Sequence, residues 1–274
     1  MKQILVATDF SACAGNAMEH ALGLAKTLKI SVTAIHAIGS NEGVDNSMFN
    51  AIYIEEYYNK KREALKQWVS VYHNQDEYKD IQVETVCEVG GVSNVLLKYI
   101  SANEISLLVM GTMGTSGISG LFGTNVHAMV IKTKTPTLIV PLESKLPENP
   151  VITLATDFST DLSIEDVTAL NELIEGYKLN KLNVVNIISN AVNLQNNEQG
   201  ENKLKTLVPD ADLQFHYINE SNASEGILNF IISTDTAILC LVKHHHNVIY
   251  RLFNKSTVNQ VMNRSLKAVL VLHE

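Results

Sequence analysis

The octapeptide ILVATDFS at residues 4–11 returns as ITLATDFS at residues 152–159. A chain that writes one strand and one turn twice is most simply two copies of one fold. A second, longer match supports this: Val92 to Val140 aligns without gaps on Ala223 to Val271, with identities that include Ser93/Ser224, Leu97/Leu228, Ile100/Ile231, Leu108/Leu239 and Val140/Val271. Most of these are apolar, so the repeat preserves a core. Between the copies lies PLESKLPENP, residues 141–150, which holds three of the five prolines. Proline at that density breaks helix and central strand alike, so this segment reads as the linker. The expected domains are residues 1–142 and 150–274, each long enough to bury its own core.

Within the first copy, short apolar runs alternate with helical periodicity. ILVAT reads as a strand; Ala17, Ala21, Leu24, Ala25 and Leu28 then recur at helical spacing, and VTAIHAI is a strand again. Gly39 to Asn50 reads as a mobile polar loop. Tyr57, Ala64, Leu65, Trp68, Val71 and Tyr72 mark one face of the next helix. VETVCEV, SLLVMG and TLIVP are further strands, separated by helices at Val92–Ile100 and Thr124–Lys132. Apolar strands alternating with amphipathic helices predict an α/β fold, a doubly wound parallel sheet with helices on both faces. The second copy repeats the order in shorter form: helices at Ile164–Tyr177, briefly near Leu204, at Ala223–Ile232 and near Val258.

Composition narrows the function. The formal net charge of -8 and the pI near 5.6 oppose binding of a polyanion or an anionic membrane through the long-range field. Nucleic acid and membrane partners are therefore not expected. No apolar run is long enough to span a bilayer. The opening residues lack an export-signal pattern, and Cys13, Cys87 and Cys240 are far apart with no CxxC pair. A cytoplasmic chain with reduced thiols is expected.

The strand LLVM runs into GTMGTSGISGLFGTN, where Gly111, Gly114, Gly117, Gly120 and Gly123 supply five of the fourteen glycines. A helix follows. Glycine lets a ligand approach the backbone closely, and a helix N-terminus offers unpaired N–H groups with partial positive charge. Thr124 and Asn125 stand where they would cap that helix and offer side-chain donors. The combination suits a phosphate, at the carboxyl end of a parallel strand where such sheets bind ligands. Hydrogen bonds to a charged group contribute roughly 1.5–3 kcal/mol each, so three or four of them with a buried base suffice for micromolar affinity. The same glycines would also make a plain flexible surface loop. No GK pair and no GxGxxG after the first strand occur, which excludes a standard P-loop and a dinucleotide fingerprint.

With these residues in view, the sequence resembles the universal stress protein family, whose ATP-binding members carry G-x2-G-x9-G-[ST] after the fourth strand. Here the match is Gly111, Gly114, Gly123 and Thr124, with eight residues where the family pattern has nine. ATDFS after the first strand and TPTLIVP at the end of the first copy extend the resemblance, which covers both copies. It implies an adenine nucleotide alpha hydrolase-like fold in two tandem doubly wound domains, paired as an intrachain pseudo-dimer through TLIVP and AVLVL. It also implies a stress-response role with an adenine nucleotide as ligand: ATP, ADP or AMP, with or without Mg2+. On that resemblance Asp9 accepts hydrogen bonds from the nucleotide, Ala37 offers its backbone to adenine, and Gly111, Gly114, Gly123, Thr124 and Asn125 hold the phosphates. On local grounds TDFS equally gives Asp9 an Asx-turn or helix N-cap role.

The second copy keeps Asp157 but replaces Gly111 by Val242, Gly114 by His245, Gly123 by Asn254 and Thr124 by Lys255. No nucleotide is expected there, and the second domain reads as structural. Lys243 and the histidines 244–246 do not have metal-site spacing, so no metal is expected. His36 and His216 read as packed core or edge residues, and Cys13 as a structural thiol near a helix start. No base or carboxylate pair beyond Asp9 favours efficient catalysis. The chain thus reads as a binding protein and not an enzyme, with slow ATP hydrolysis or self-phosphorylation on Ser116, Ser119 or Thr124 as the enzymatic alternative. A protein-interaction module without nucleotide is the other alternative. A homodimer and further protein partners fit either.

Overall fold

A computed structural model of the chain describes residues 2–39, 42, 51–112, 123–158, 162–188, 194–243 and 267–273. It divides into two compact units, Met1–Thr135 and Pro136–Glu274.

The first unit runs β1 Gln3–Ala7, α1 Ala12–Leu28, β2 Ser31–Ile38, α2 Ala51–His73, β3 Val83–Val89, α3 Val92–Ala102, β4 Ile105–Gly111 and α4 Thr124–Lys132. Its strands pair in the order β3-β2-β1-β4, every pair parallel. Parallel neighbours need crossover helices, and the alternation of elements supplies them. The central strands are apolar on both faces: Ile4, Leu5 and Val6 are all fully buried. Helix α1 presents Ala17, Ala21, Leu24 and Ala25 to the sheet, the spacing expected of it, with Met18 and Leu22 buried beside them. Burying side chains such as Leu22 and Leu24 stabilises the unit by roughly 1.5–3 kcal/mol each. Ser11 Oγ caps the helix, accepting from the Ala14 N–H at 3.2 Å.

Helix α2 departs from the expected face. Leu65 and Val69 are buried and Trp68 and Tyr72 are half-buried, whereas Ala64 and Val71 are exposed. The seam is therefore Leu65, Trp68, Val69 and Tyr72, one stripe at i, i+3, i+4 and i+7; apolar Val71 points off it.

The second unit runs β5 Thr137–Val140, β6 Ile152–Ala155, α5 Thr168–Tyr177, β7 Lys181–Ile188, α6 Leu194–Leu207, β8 Asp212–Asn219, α7 Ala223–Ser233, β9 Ile238–Lys243 and β10 Ala268–His273. Its strands pair β8-β7-β6-β9-β10 in parallel, and β5 closes the row antiparallel, with Ile139 opposite Val269 and Leu138 opposite Leu270. The pairing of TLIVP with AVLVL draws the unit boundary ahead of the proline-rich segment. Helix α6 is a full 14-residue element where the sequence suggested a brief piece. The helix expected near Val258 lies outside the described residues.

Candidate functional site

In the first unit the carboxyl ends of β1, β2 and β4 and the starts of α3 and α4 surround one cleft of about 640 Å³, counted out to its open mouth. Asp9, Ala37, Gly111, Gly123 and Asn125 all line it. Thr124 does not; it is the first residue of α4 and exposed. Gly114, Ser116 and Ser119 lie outside the described residues, as do His244–His246, Asn254 and Lys255. The apolar wall, unread in the sequence, comes from Val92, Leu96 and Val126.

The two described glycines of the motif do different work. A Cβ on Gly111 would stand 2.8 Å from both the backbone carbon and the oxygen of Cys13. Gly111 is thus required by the close approach of β4 to the first turn of α1. Among the described residues a Cβ on Gly123 would meet only Thr112 O, at an ordinary 3.5 Å, and its φ of -54° suits any residue. No described neighbour demands its small size, and it lines the cleft.

Gly123, and not Thr124 or Asn125, is the N-cap of α4, and being glycine it supplies no side-chain cap. The Gly123 N–H is used internally, donating to Thr112 O at 2.8 Å. The first bond of the helical ladder runs from the His127 N–H to Gly123 O at 3.2 Å. The N–H groups of Thr124, Asn125 and Val126 therefore precede the ladder at the positive end of the helix, beside the cleft. Such a terminus favours an anion.

Asp9 sits on a tight bend after β1. Its Oδ1 accepts from the Ser11 N–H at 3.1 Å, an Asx-turn, and the Phe10 N–H donates to Thr8 Oγ1 at 3.0 Å. The N-cap is Ser11, so Asp9 has the turn role and not the cap. Phe10 adopts φ of 66°, which costs roughly 1–2 kcal/mol for a residue other than glycine. Packing holds it there: its ring lies 4.4 Å from that of His36 and 6.1 Å from that of Trp68, centroid to centroid. His36, 7% exposed, hydrogen-bonds through Nδ1 to Thr8 O at 2.9 Å. Burial pulls its imidazole below the ordinary value, against the opposing effect of that bond. Cys13 is buried with Sγ 3.5 Å from Thr112 Oγ1.

The second unit rebuilds the bend but not the cleft wall. Phe158 has φ of 56° and its N–H donates to Thr156 Oγ1. The equivalent of Ala37 is Ile187, fixed by the matching bonds Thr8 N–H to Ile35 O and Thr156 N–H to Val185 O. The Ile187 side chain fills the corner against α7, where a Cβ on Gly226 would come within 2.8 Å of Ile187 Cδ1. Val242, where the first copy has Gly111, is buried. Among the described residues no group of three His, Cys, Asp or Glu could hold a metal, and no helix is long and apolar enough to cross a membrane.

Comparison with known proteins places this geometry. The sequence pattern of the universal stress protein family matches residues 1–141. A universal stress protein from Archaeoglobus fulgidus DSM 4304 shares the fold over 99% of this chain and 98% of its own, with a TM-score of 0.74 at 15% identity. A putative universal stress protein from Pseudomonas aeruginosa UCBPP-PA14 matches over 99% and 92%, with a TM-score of 0.59 at 11% identity. No curated protein sequence matches the chain.

Proposed function

Because the chain belongs to the universal stress protein family, we propose that its first unit binds an adenine nucleotide in the cleft at the carboxyl ends of β1, β2 and β4. The observation that carries this reading is the uncapped start of α4. Three N–H groups and the helix field stand ready for phosphate beside an apolar slot of purine character, between Ala37, Val92 and Leu96. The base packs in that slot with the backbone at Ala37 within reach of its edge. The phosphates lie toward Gly123, Asn125 and the glycine loop that includes Gly114. Asp9, on its rigid Asx-turn, accepts hydrogen bonds at the mouth.

The second unit is structural in this reading. Ile187 takes the place of the base, and Val242 stands where the cleft needs glycine. The chain acts in the cytoplasm as a stress-response protein that senses or stores adenylate, and its free thiols suit a reducing compartment. It binds without turning its ligand over, since among the described residues of the cleft only Asp9 and the buried His36 could move a proton, and no pair of carboxylates stands there to hold a catalytic metal.

Calorimetric titration of the whole chain with ATP, ADP and AMP, each with and without Mg2+, tests this. One site per chain is expected, with loss of binding in Gly114→Val. Absence of binding would leave a protein-interaction module as the better account. Turnover well above spontaneous hydrolysis would make the chain an enzyme.

A further inference from the structure

We propose that His36 is a positioning residue whose neutral ring, donating from Nδ1 to Thr8 O, sets the bend that carries Asp9, so that protonation of the ring weakens nucleotide binding. This rests on the nucleotide reading of the same cleft.

The tautomer follows from the partner. A carbonyl oxygen only accepts, so the 2.9 Å bond to Thr8 O places the hydrogen on Nδ1 and leaves Nε2 as a bare acceptor. Nε2 is buried without a hydrogen-bond partner. Neutral imidazole tolerates that arrangement. An imidazolium would put a second N–H, and a full charge, where no described residue accepts it. The ring's escape would carry Thr8 and the stacked Phe10 ring with it, and Asp9 lies between them.

The chain supplies its own comparison. At the equivalent place in the second unit, Asn186 Nδ2 donates to Thr156 O at 2.8 Å. Both copies therefore keep one N–H on that carbonyl, in the same register of β1 with β2 and of β6 with β7. What the copies do not share is the ionisable ring. It occurs in the unit that has the open cleft and is replaced by an amide that cannot titrate in the unit that lacks one. The bond is thus a tether that either side chain makes, and histidine adds sensitivity to pH.

The groups around the ring set the direction. Burial opposes the charged form and outweighs the rest; the bond to Thr8 O, Glu42 beyond β2 and Asp9 on the bend favour it, and Lys61 on α2 opposes it. Cys87, opposite His36 on β3, has its thiol pushed up by burial and stays neutral. Phe10 and Trp68 contribute apolar faces. The folded pKa lies below the unfolded value of about 6.5. In the folded protein the ring therefore stays neutral, and the bend undisturbed, until pH falls to that lowered folded pKa. Protonation keeps the Nδ1–H bond to Thr8 O but adds a charged N–H at the buried Nε2, and it is this that displaces the ring.

The test is ATP titration of the whole chain from pH 7.5 to 5.0 for wild type, His36→Asn and His36→Ala, with the ring-nitrogen NMR shifts of His36 recorded in the free protein. At pH 7.5 His36→Ala should bind about tenfold more weakly than wild type, and His36→Asn should restore most of that loss. On acidification wild type should weaken relative to His36→Asn, a ratio from which protonation of the ATP itself cancels. The ring should report hydrogen on Nδ1. Unchanged affinity in His36→Ala, parallel pH profiles for wild type and His36→Asn, or hydrogen on Nε2 would each overturn the inference. No ATP binding by wild type at any pH would overturn the nucleotide reading as well, and so is distinguishable from failure of the tether alone.

Discussion

Position 37 shows how much one side chain decides. In the first unit Ala37 lines the open cleft where the proposed reading places the base, and Val95 is buried on helix α3. In the second, Ile187 is admitted because Gly226 stands where Val95 does. Ala37→Ile alone should therefore both block the slot and crowd Val95, costing about 1–3 kcal/mol by overpacking. Adding Val95→Gly should recover part of that stability without recovering affinity, since the pair reproduces the closed corner of the second copy. Urea unfolding and ATP titration of the single and double variants separate the two effects; a double variant that binds as tightly as wild type would show that the base lies elsewhere. This pair was not legible from the repeat, because identity marks positions that stay the same and the informative ones differ. His36 reads from the sequence as a packed core or edge residue and is buried, but its bond at the bend was not legible for the same reason: its partner in the second copy is Asn186, and only the shared bond to a threonine carbonyl relates them.

At the level of elements, the glycine-rich stretch announced itself in the sequence, but the reason for each glycine did not. Gly111 answers to α1, whose Cys13 backbone leaves no space for a Cβ, whereas Gly123 answers to no neighbour among the described residues. Gly111→Ala should thus lower stability in the absence of any ligand, by about 1–3 kcal/mol as its methyl group forces helix and strand apart. Gly123→Ala should change stability by less than about 0.5 kcal/mol yet weaken ATP binding, because its methyl group enters the space before the α4 amides. Thermal unfolding of the two variants with and without ATP checks the contrast, and equal loss of stability in both would refute it. The succession of strands and helices along the chain was readable because buried parallel strands are short apolar blocks and their crossovers are periodic. Helix α6 was underestimated for a physical reason: LQNNEQGENKLKTL carries little apolar stripe, and Leu204 with the following Val208 is its main buried anchor. The capping of α4 was misread because threonine and asparagine after a glycine look like caps, yet the helix starts one residue earlier than a Thr124 cap allows.

On the scale of the whole molecule, duplication was plain in the sequence. Alignment assigns Thr137–Val140 to the first copy, and the division by compactness falls just ahead of that strand, after Thr135. The acidic net charge of -8 describes the far field, whereas on the proposed reading an anion at the start of α4 would be held by N–H groups within a few ångströms. Ligand binding would then be a local event in a two-unit chain. ATP at 100 times its dissociation constant should stabilise whatever it binds by about 2.7 kcal/mol. If only the first cleft is open, that gain belongs to residues 1–135. Hydrogen exchange should then slow on adding ATP in β1, β2, β4, α3 and α4. In β6, β7, β9 and α7 of the second unit, where Ile187 closes the corresponding corner, it should stay unchanged. Equal slowing in both units would mean either that the second cleft also binds or that the two units open as one, and titration stoichiometry, two sites against one, tells these apart.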